Sequence, residues 1–100
     1  MSEVDPIIHQ PTRLRIMMLL SGVQSADFTF LAETLALSKG NLSSHMNQLE
    51  KAGYIEITKT FKGKMPNTSY AITPEGLRQL EAYWRVLDEI RRLKASDYLS

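Results

Sequence analysis

Cysteine is absent from the 100 residues, which removes a disulfide framework, a thiolate zinc site, an iron–sulfur cluster and a cysteine nucleophile together. That composition suits a reducing, cytoplasmic setting. Glycine and proline are sparse, at five and four residues, and never cluster into a linker, so one domain spanning 1–100 is expected. Long apolar runs are missing as well. The longest, Ile16-Met17-Met18-Leu19-Leu20, falls far short of the roughly 20 residues a membrane helix needs. The acidic start, Met1-Ser2-Glu3-Val4-Asp5-Pro6, lacks the basic and apolar pattern of an export signal, so no membrane association is expected.

Net charge is only +1, yet it is unevenly spread. Lys39, Lys51, Lys59, Lys62 and Lys64 face only Glu50 and Glu56 between positions 39 and 64, while the rest of the chain has an acidic excess. A basic middle points to an anionic partner, with a solvated face of scattered lysines as the alternative.

Apolar periodicity divides the chain. Pro11 opens a helix carrying Leu14, Ile16, Met17, Leu19 and Leu20, and Ser21-Gly22 ends it. Asp27-Phe28-Thr29 leads into a second short helix, with Thr29 as cap and Phe30, Leu31, Ala32 and Leu35 inward. Ser38 caps a third helix running to about Ala52, and Gly53 stops it. Leu42, Met46 and Leu49 form its inner side, with His45 at the edge, and Gly40, Ser44, Asn47 and Lys51 its outer side.

From Tyr54 the period becomes two. Ile55, Ile57 and Phe61 alternate with polar residues, and 68–72 reads as the returning strand, with 62–67 as a basic turn. Thr73-Pro74-Glu75-Gly76 then starts a helix over 74–94. Its stripe of Leu77, Leu80, Trp84, Leu87, Ile90 and Leu93, with Tyr83 alongside, exceeds what a three-helix core can cover. A domain of this size buries only about two-thirds of its unfolded surface, so pairing of two copies through that stripe is expected. Tyr83 and Trp84 are alternatively the lining of an apolar effector pocket.

Three helices followed by a basic two-stranded hairpin and a long final helix is a mainly α fold, the winged helix-turn-helix. The string Leu37-Ser38-Lys39-Gly40-Asn41-Leu42-Ser43-Ser44-His45-Met46-Asn47-Gln48-Leu49-Glu50-Lys51-Ala52-Gly53-Tyr54-Ile55 resembles the recognition helix of MarR- and ArsR-type regulators. The string from Lys62 to Gly76 resembles the wing and final-helix start of compact MarR-like proteins. The resemblance implies a homodimeric, sequence-specific binder of double-stranded DNA acting as a repressor on a pseudo-palindromic operator. Helix 38–52 would enter the major groove, and wing 60–69 would lie on the backbone or minor groove. The cysteine metal site of ArsR-type sensors is missing, so metal sensing is not carried over. Of the additional helices at both ends of full-length MarR proteins, only a C-terminal one is present, and residues 1–10 read as an N-terminal arm.

Within that frame Lys39 and Lys51 are candidates for phosphates, as are Ser43 and Ser44, with Gly40 on the same DNA-facing side. Asn41, Asn47 and Gln48 can reach base edges, Asn47 foremost, and Lys62 and Lys64 position the wing. Ser43 and His45 diverge by about 200° around the helix, so they are not a catalytic pair, and neither metal nor cofactor is expected. Met17 and Met46 read as core filling rather than redox sensors. The remaining reading is a winged helix serving as a protein-interaction module in a larger assembly.

Overall fold

A computed structural model describes residues 2–99. Helix α1 (Pro11–Ser21) is followed by strand β1 (Ala26–Asp27), helices α2 (Phe28–Leu35) and α3 (Lys39–Lys51), strands β2 (Ile55–Lys62) and β3 (Met65–Ile72), and helix α4 (Pro74–Arg91). A single 3₁₀ turn, Ala95–Asp97, comes after α4. The strands form an antiparallel sheet in the order β1-β3-β2. The sheet therefore has three strands, not two, because Ala26 and Asp27 pair with Tyr70 and Ser69. Two residues leave too short an alternation to show in the sequence.

Local chemistry sets each boundary. Gln10 caps α1 by accepting from the Arg13 N–H at 2.7 Å, with Pro11 in the first turn. Asp27, not Thr29, caps α2, its carboxylate accepting from the Phe30 N–H at 2.8 Å. Pairing of Asp27 with β3 gives it the extended backbone that a capping residue needs. Helix α3 ends in a Schellman motif, in which Tyr54 N–H donates to the Leu49 carbonyl and Gly53 N–H to that of Glu50, with Gly53 at φ +81°. The same bonding closes α2, but there the left-handed residue is Ala36, at φ +54°.

The core draws Ile16, Met17 and Leu20 from α1, Leu31 from α2 and Leu42, Met46 and Leu49 from α3. Ile55, Tyr70, Leu80 and Tyr83 close it from the sheet and α4. Each fully buried aliphatic side chain contributes about 1.5–3 kcal/mol. The N-terminal arm joins this core: Ile8 is fully buried, Arg13 Nε donates to the Ile7 carbonyl, and the Tyr54 hydroxyl donates to Asp5.

Leu80 and Tyr83, expected at a face between copies, are each only 4% exposed and belong to the protomer's own core. At 100° per residue they share the inward side of α4 with Gly76, over the half of the helix that lies on the core. Beyond Tyr83 that side runs on through Leu87 and Ile90, the latter 47% exposed. Helix α4 stops at Arg91, three residues before the expected end, so Leu93 lies past it. Phe30, expected to face inward, is exposed.

Helix α4 begins against the chain that leaves α3. Thr73 N–H donates to the Tyr54 carbonyl at 3.0 Å, its hydroxyl donates to the Gly53 carbonyl at 2.7 Å, and the same oxygen accepts from the Gly76 N–H at 2.9 Å. A Cβ on Gly76 would overlap the Tyr54 carbonyl oxygen and lie 2.9 Å from Ile72 Cγ1. Gly76→Ala is therefore expected to destabilise the fold by about 3 kcal/mol or more, whereas Ala36→Gly, which relieves a left-handed alanine, should stabilise it by roughly 0.5–1 kcal/mol. Urea denaturation of the two variants checks both signs.

Candidate nucleic-acid interface

The outer face of α3 is built from its first hydrogen bond outward. Ser38 caps the helix by accepting from the Asn41 N–H at 3.1 Å, so Lys39 and Asn41 flank an exposed N-terminal turn. With Leu42, Met46 and Leu49 buried, the 3.6-residue repeat sets Gly40, Ser44, Asn47 and Lys51 along the opposite, exposed ridge. Asn41 and Gln48 lie on one exposed flank of that ridge. Ser43 and Glu50 lie on the other, which faces the hairpin, and Ser43 is half-buried there.

Strands β2 and β3 make a longer hairpin than the sequence suggests. They pair from Ile55↔Ile72 to Lys62↔Met65, leaving only Gly63 and Lys64 in the turn. Gly63 at φ +63° with a negative φ at Lys64 matches a type II′ turn, which demands glycine first. Pro66, read as a turn residue, sits in β3 opposite Phe61. That is a non-hydrogen-bonded pair one step from the closing pair, so the missing N–H would have pointed away from β2. Phe61 is 72% exposed rather than half-buried, because the hairpin has by then outrun the core.

Alternation assigns the two faces of the hairpin. Ile55, Ile57, Lys59 and Phe61 share the inner face with Pro66, Thr68, Tyr70 and Ile72, their cross-strand partners. Between this face and α3 opens a groove of about 710 Å³ whose lining includes Ser43, Asn47, Glu50, Lys59 and Thr68. Lys59 and Glu50 were not among the expected site residues. Strand parity placed Lys59 on the inner face in the sequence, but only the hairpin's length shows that it clears the core. The negative charge of Glu50 reaches Tyr70, whose hydroxyl is pushed to a higher pKa by burial and then by this carboxylate.

The cations around the ridge and hairpin differ in their freedom. Lys62 lies on the outer face and pairs with Asp27 at 3.7 Å. Among the described residues Lys39, Lys51, Lys59 and Lys64 are in no ion pair. Such uncommitted cations beside an amide-bearing ridge can take up phosphates while the ridge meets base edges.

His45 serves the frame behind the ridge. Its Nδ1 lies 3.2 Å from Arg13 Nη1, and a guanidinium can only donate, so Nδ1 accepts and the ring proton sits on Nε2. The pair ties α3 to α1, and the same Arg13 holds the arm. No group of three or more His, Cys, Asp or Glu side chains converges among the described residues. No helix is long and apolar enough to cross a membrane.

A capped helix with a polar outer ridge, set behind a helix-turn and beside a basic hairpin, defines a winged helix-turn-helix DNA-binding domain. Residues 12–91 match the family model described as a winged helix DNA-binding domain, and the chain belongs to that family. An uncharacterized protein of Methanocaldococcus jannaschii is 37% identical over 71 residues, covering 70% of this chain and 76% of that protein. The transcriptional regulator homologue of Pyrococcus horikoshii OT3 superposes with a TM-score of 0.78 at 31% identity, over 84% of this chain and 83% of that one. A MarR-family regulator of Enterococcus faecalis V583 shares the fold at 20% identity, with a TM-score of 0.73 over 85% and 76% of the two chains. Family and fold are thus those of DNA-binding transcription regulators, not of enzymes.

Burial, and then the charge of Arg13, hold the His45 pKa below its usual 6.5. The unfolded chain therefore binds more protons between the folded value and 6.5. The resulting stability is full above about pH 6.5 and is lost as pH falls through the folded value. In urea titrations from pH 8 to 5 the wild type should lose more stability than His45→Gln over that window. Parallel curves would remove His45 from this role.

Proposed function

We propose that the chain is a homodimeric, sequence-specific regulator of transcription that represses by occupying a pseudo-palindromic operator. Helix α3 lies in the major groove with Asn47 reading a base edge, Asn and adenine being the favoured bidentate pair. Asn41 and Gln48 read at its flank. Lys39, Lys51, Ser43 and Ser44 hold phosphates, Gly40 lets the backbone approach, and Lys59 and Lys64 carry the wing. Lys62, engaged with Asp27, contributes less than Lys59. The observation that carries this reading is the exposed ridge of α3, with four uncommitted lysines on and around it, opening into the groove beneath the wing.

The second copy docks on the outer half of α4. Trp84, Leu87 and Ile90 line a shallow groove there with Glu81, Arg85, Asp88 and Arg91, an apolar strip edged by both charge signs. Leu77 and Leu93 are exposed at the two ends of that strip. Two α3 helices related by a twofold axis would meet half-sites about one turn of DNA apart. With about eight phosphate contacts per dimer, affinity should fall some 10³- to 10⁵-fold between 50 and 200 mM salt.

Selection of bound fragments from sheared genomic DNA, followed by competition binding, tests the assignment. Asn47→Ala should cost about 1–3 kcal/mol at one base step and relax preference there, while Lys59→Ala and Lys64→Ala weaken selected and random DNA alike. Equal losses on both DNAs for Asn47→Ala would defeat its role as reader. Ile90→Glu should convert dimer to monomer in sedimentation. Binding that is absent, or insensitive to salt, would favour a protein-interaction role.

A further inference from the structure

The inner face of the hairpin changes character as it leaves the core. Ile57 and Tyr70 pack inward, Lys59 and Thr68 follow as a polar step, and the last pair on that face is Phe61 with Pro66. An apolar pair thus stands beyond a cation at the far end of the groove that contains Asn47. Phe61 is 72% exposed and has no aromatic partner among the described residues. The type II′ turn and Pro66 brace the tip, so its backbone has little conformational freedom to lose on docking.

Charge selects the occupant. From Ile57 to Tyr70 the chain has three lysines and no acidic residue, so the tip complements a polyanion. Its face is continuous with the groove beside α3, which places the same duplex within its reach. Phenylalanine and proline are among the side chains that wedge between base steps in the minor groove, and flanking cations there take the adjacent phosphates.

We infer that Phe61, backed by Pro66, is an apolar wedge that enters the minor groove beside each half-site and kinks the duplex. Lys59 holds the phosphates at the mouth of the groove. The kink falls at a pyrimidine–purine step, where unstacking is cheapest, so Phe61 selects sequence through deformability at positions α3 does not touch. This inference rests on the DNA-binding reading above.

The test uses the full chain and a duplex of about 40 base pairs rich in T-A steps, dye-labelled at both ends, with binding and end-to-end energy transfer read together. Wild type is expected to shorten the end-to-end distance through a bend of at least about 20° per wing. Phe61→Ser should bind about tenfold more weakly and leave the duplex straight, while Phe61→Trp keeps the bend and shows quenched indole emission. Because Phe61 is outside the core, circular dichroism of both variants should match wild type. A Phe61→Ser variant that retains affinity and bend overturns the wedge while leaving DNA binding by α3 intact. So does one that changes only the sedimenting mass, which would make the tip a contact between copies. Failure of the wild type to bind the duplex at low salt would overturn the DNA-binding reading itself, and the wedge with it.

Discussion

The arrangement turns on a crossing of two backbone segments with no room for a methyl group between them. Gly76, in the first turn of α4, lies against the Tyr54 carbonyl where the chain has just left α3. Thr73 clamps that crossing, bonding to Tyr54 and Gly53 while capping its own helix. One side chain and one glycine thereby fix the end of α3, the root of the hairpin and the direction of α4 relative to one another. Hydrophobic burial supplies the bulk of the stability, but burial is nearly indifferent to direction. The crossing is not.

A second, smaller constraint sets the start of α3. Ala36 adopts a left-handed conformation that costs an L-residue about 1–2 kcal/mol, and the two Schellman bonds around it offset that cost. Two residues later Ser38 caps α3. The turn between α2 and α3 is accordingly short and bonded throughout, which holds the polar ridge of α3 at a fixed angle to the core. Arg13 reinforces the same helix from behind through His45 and holds the N-terminal arm with its other nitrogens.

What could be read from the sequence follows from which features are local. Ser38, Thr73, Pro74 and Gly53 announce helix ends because capping chemistry involves neighbours in the chain, and each stands where it was expected. The outer ridge of α3 was legible for the same reason, since one helical period assigns its residues once Leu42, Met46 and Leu49 are inside. Features set by distant partners were not. Asp27 caps α2 because β3 draws it into a strand, and Pro66 stands in a strand because its absent N–H lies on the free edge. Periodicity alone cannot say where a core ends, so Leu80 and Tyr83 were grouped with Leu87 and Ile90, and Phe61 with Ile55. Lys59 entered the candidate site by that same shift, carried past the core on the extended hairpin.

The extents of 69 × 25 × 21 Å express a core too small for the elements it anchors. The hairpin overhangs at Phe61 and Met65, and α4 does so at Trp84 and Ile90. The two overhangs differ in chemistry: one is cationic with an apolar tip, the other apolar with charges of both signs along its edge. A polyanion matches the first and a second copy of the strip matches the second, since alternating charges can pair across a twofold axis. In a dimer joined through α4, the separation of the two α3 ridges depends on how α4 leaves the core. That direction is set at Gly76 and Thr73, 14 residues or more before Ile90 at the exposed end of the strip. The tight crossing of backbones would then act at a distance: by fixing one helix against another inside each protomer, it would set the half-site spacing that the proposed pair can span.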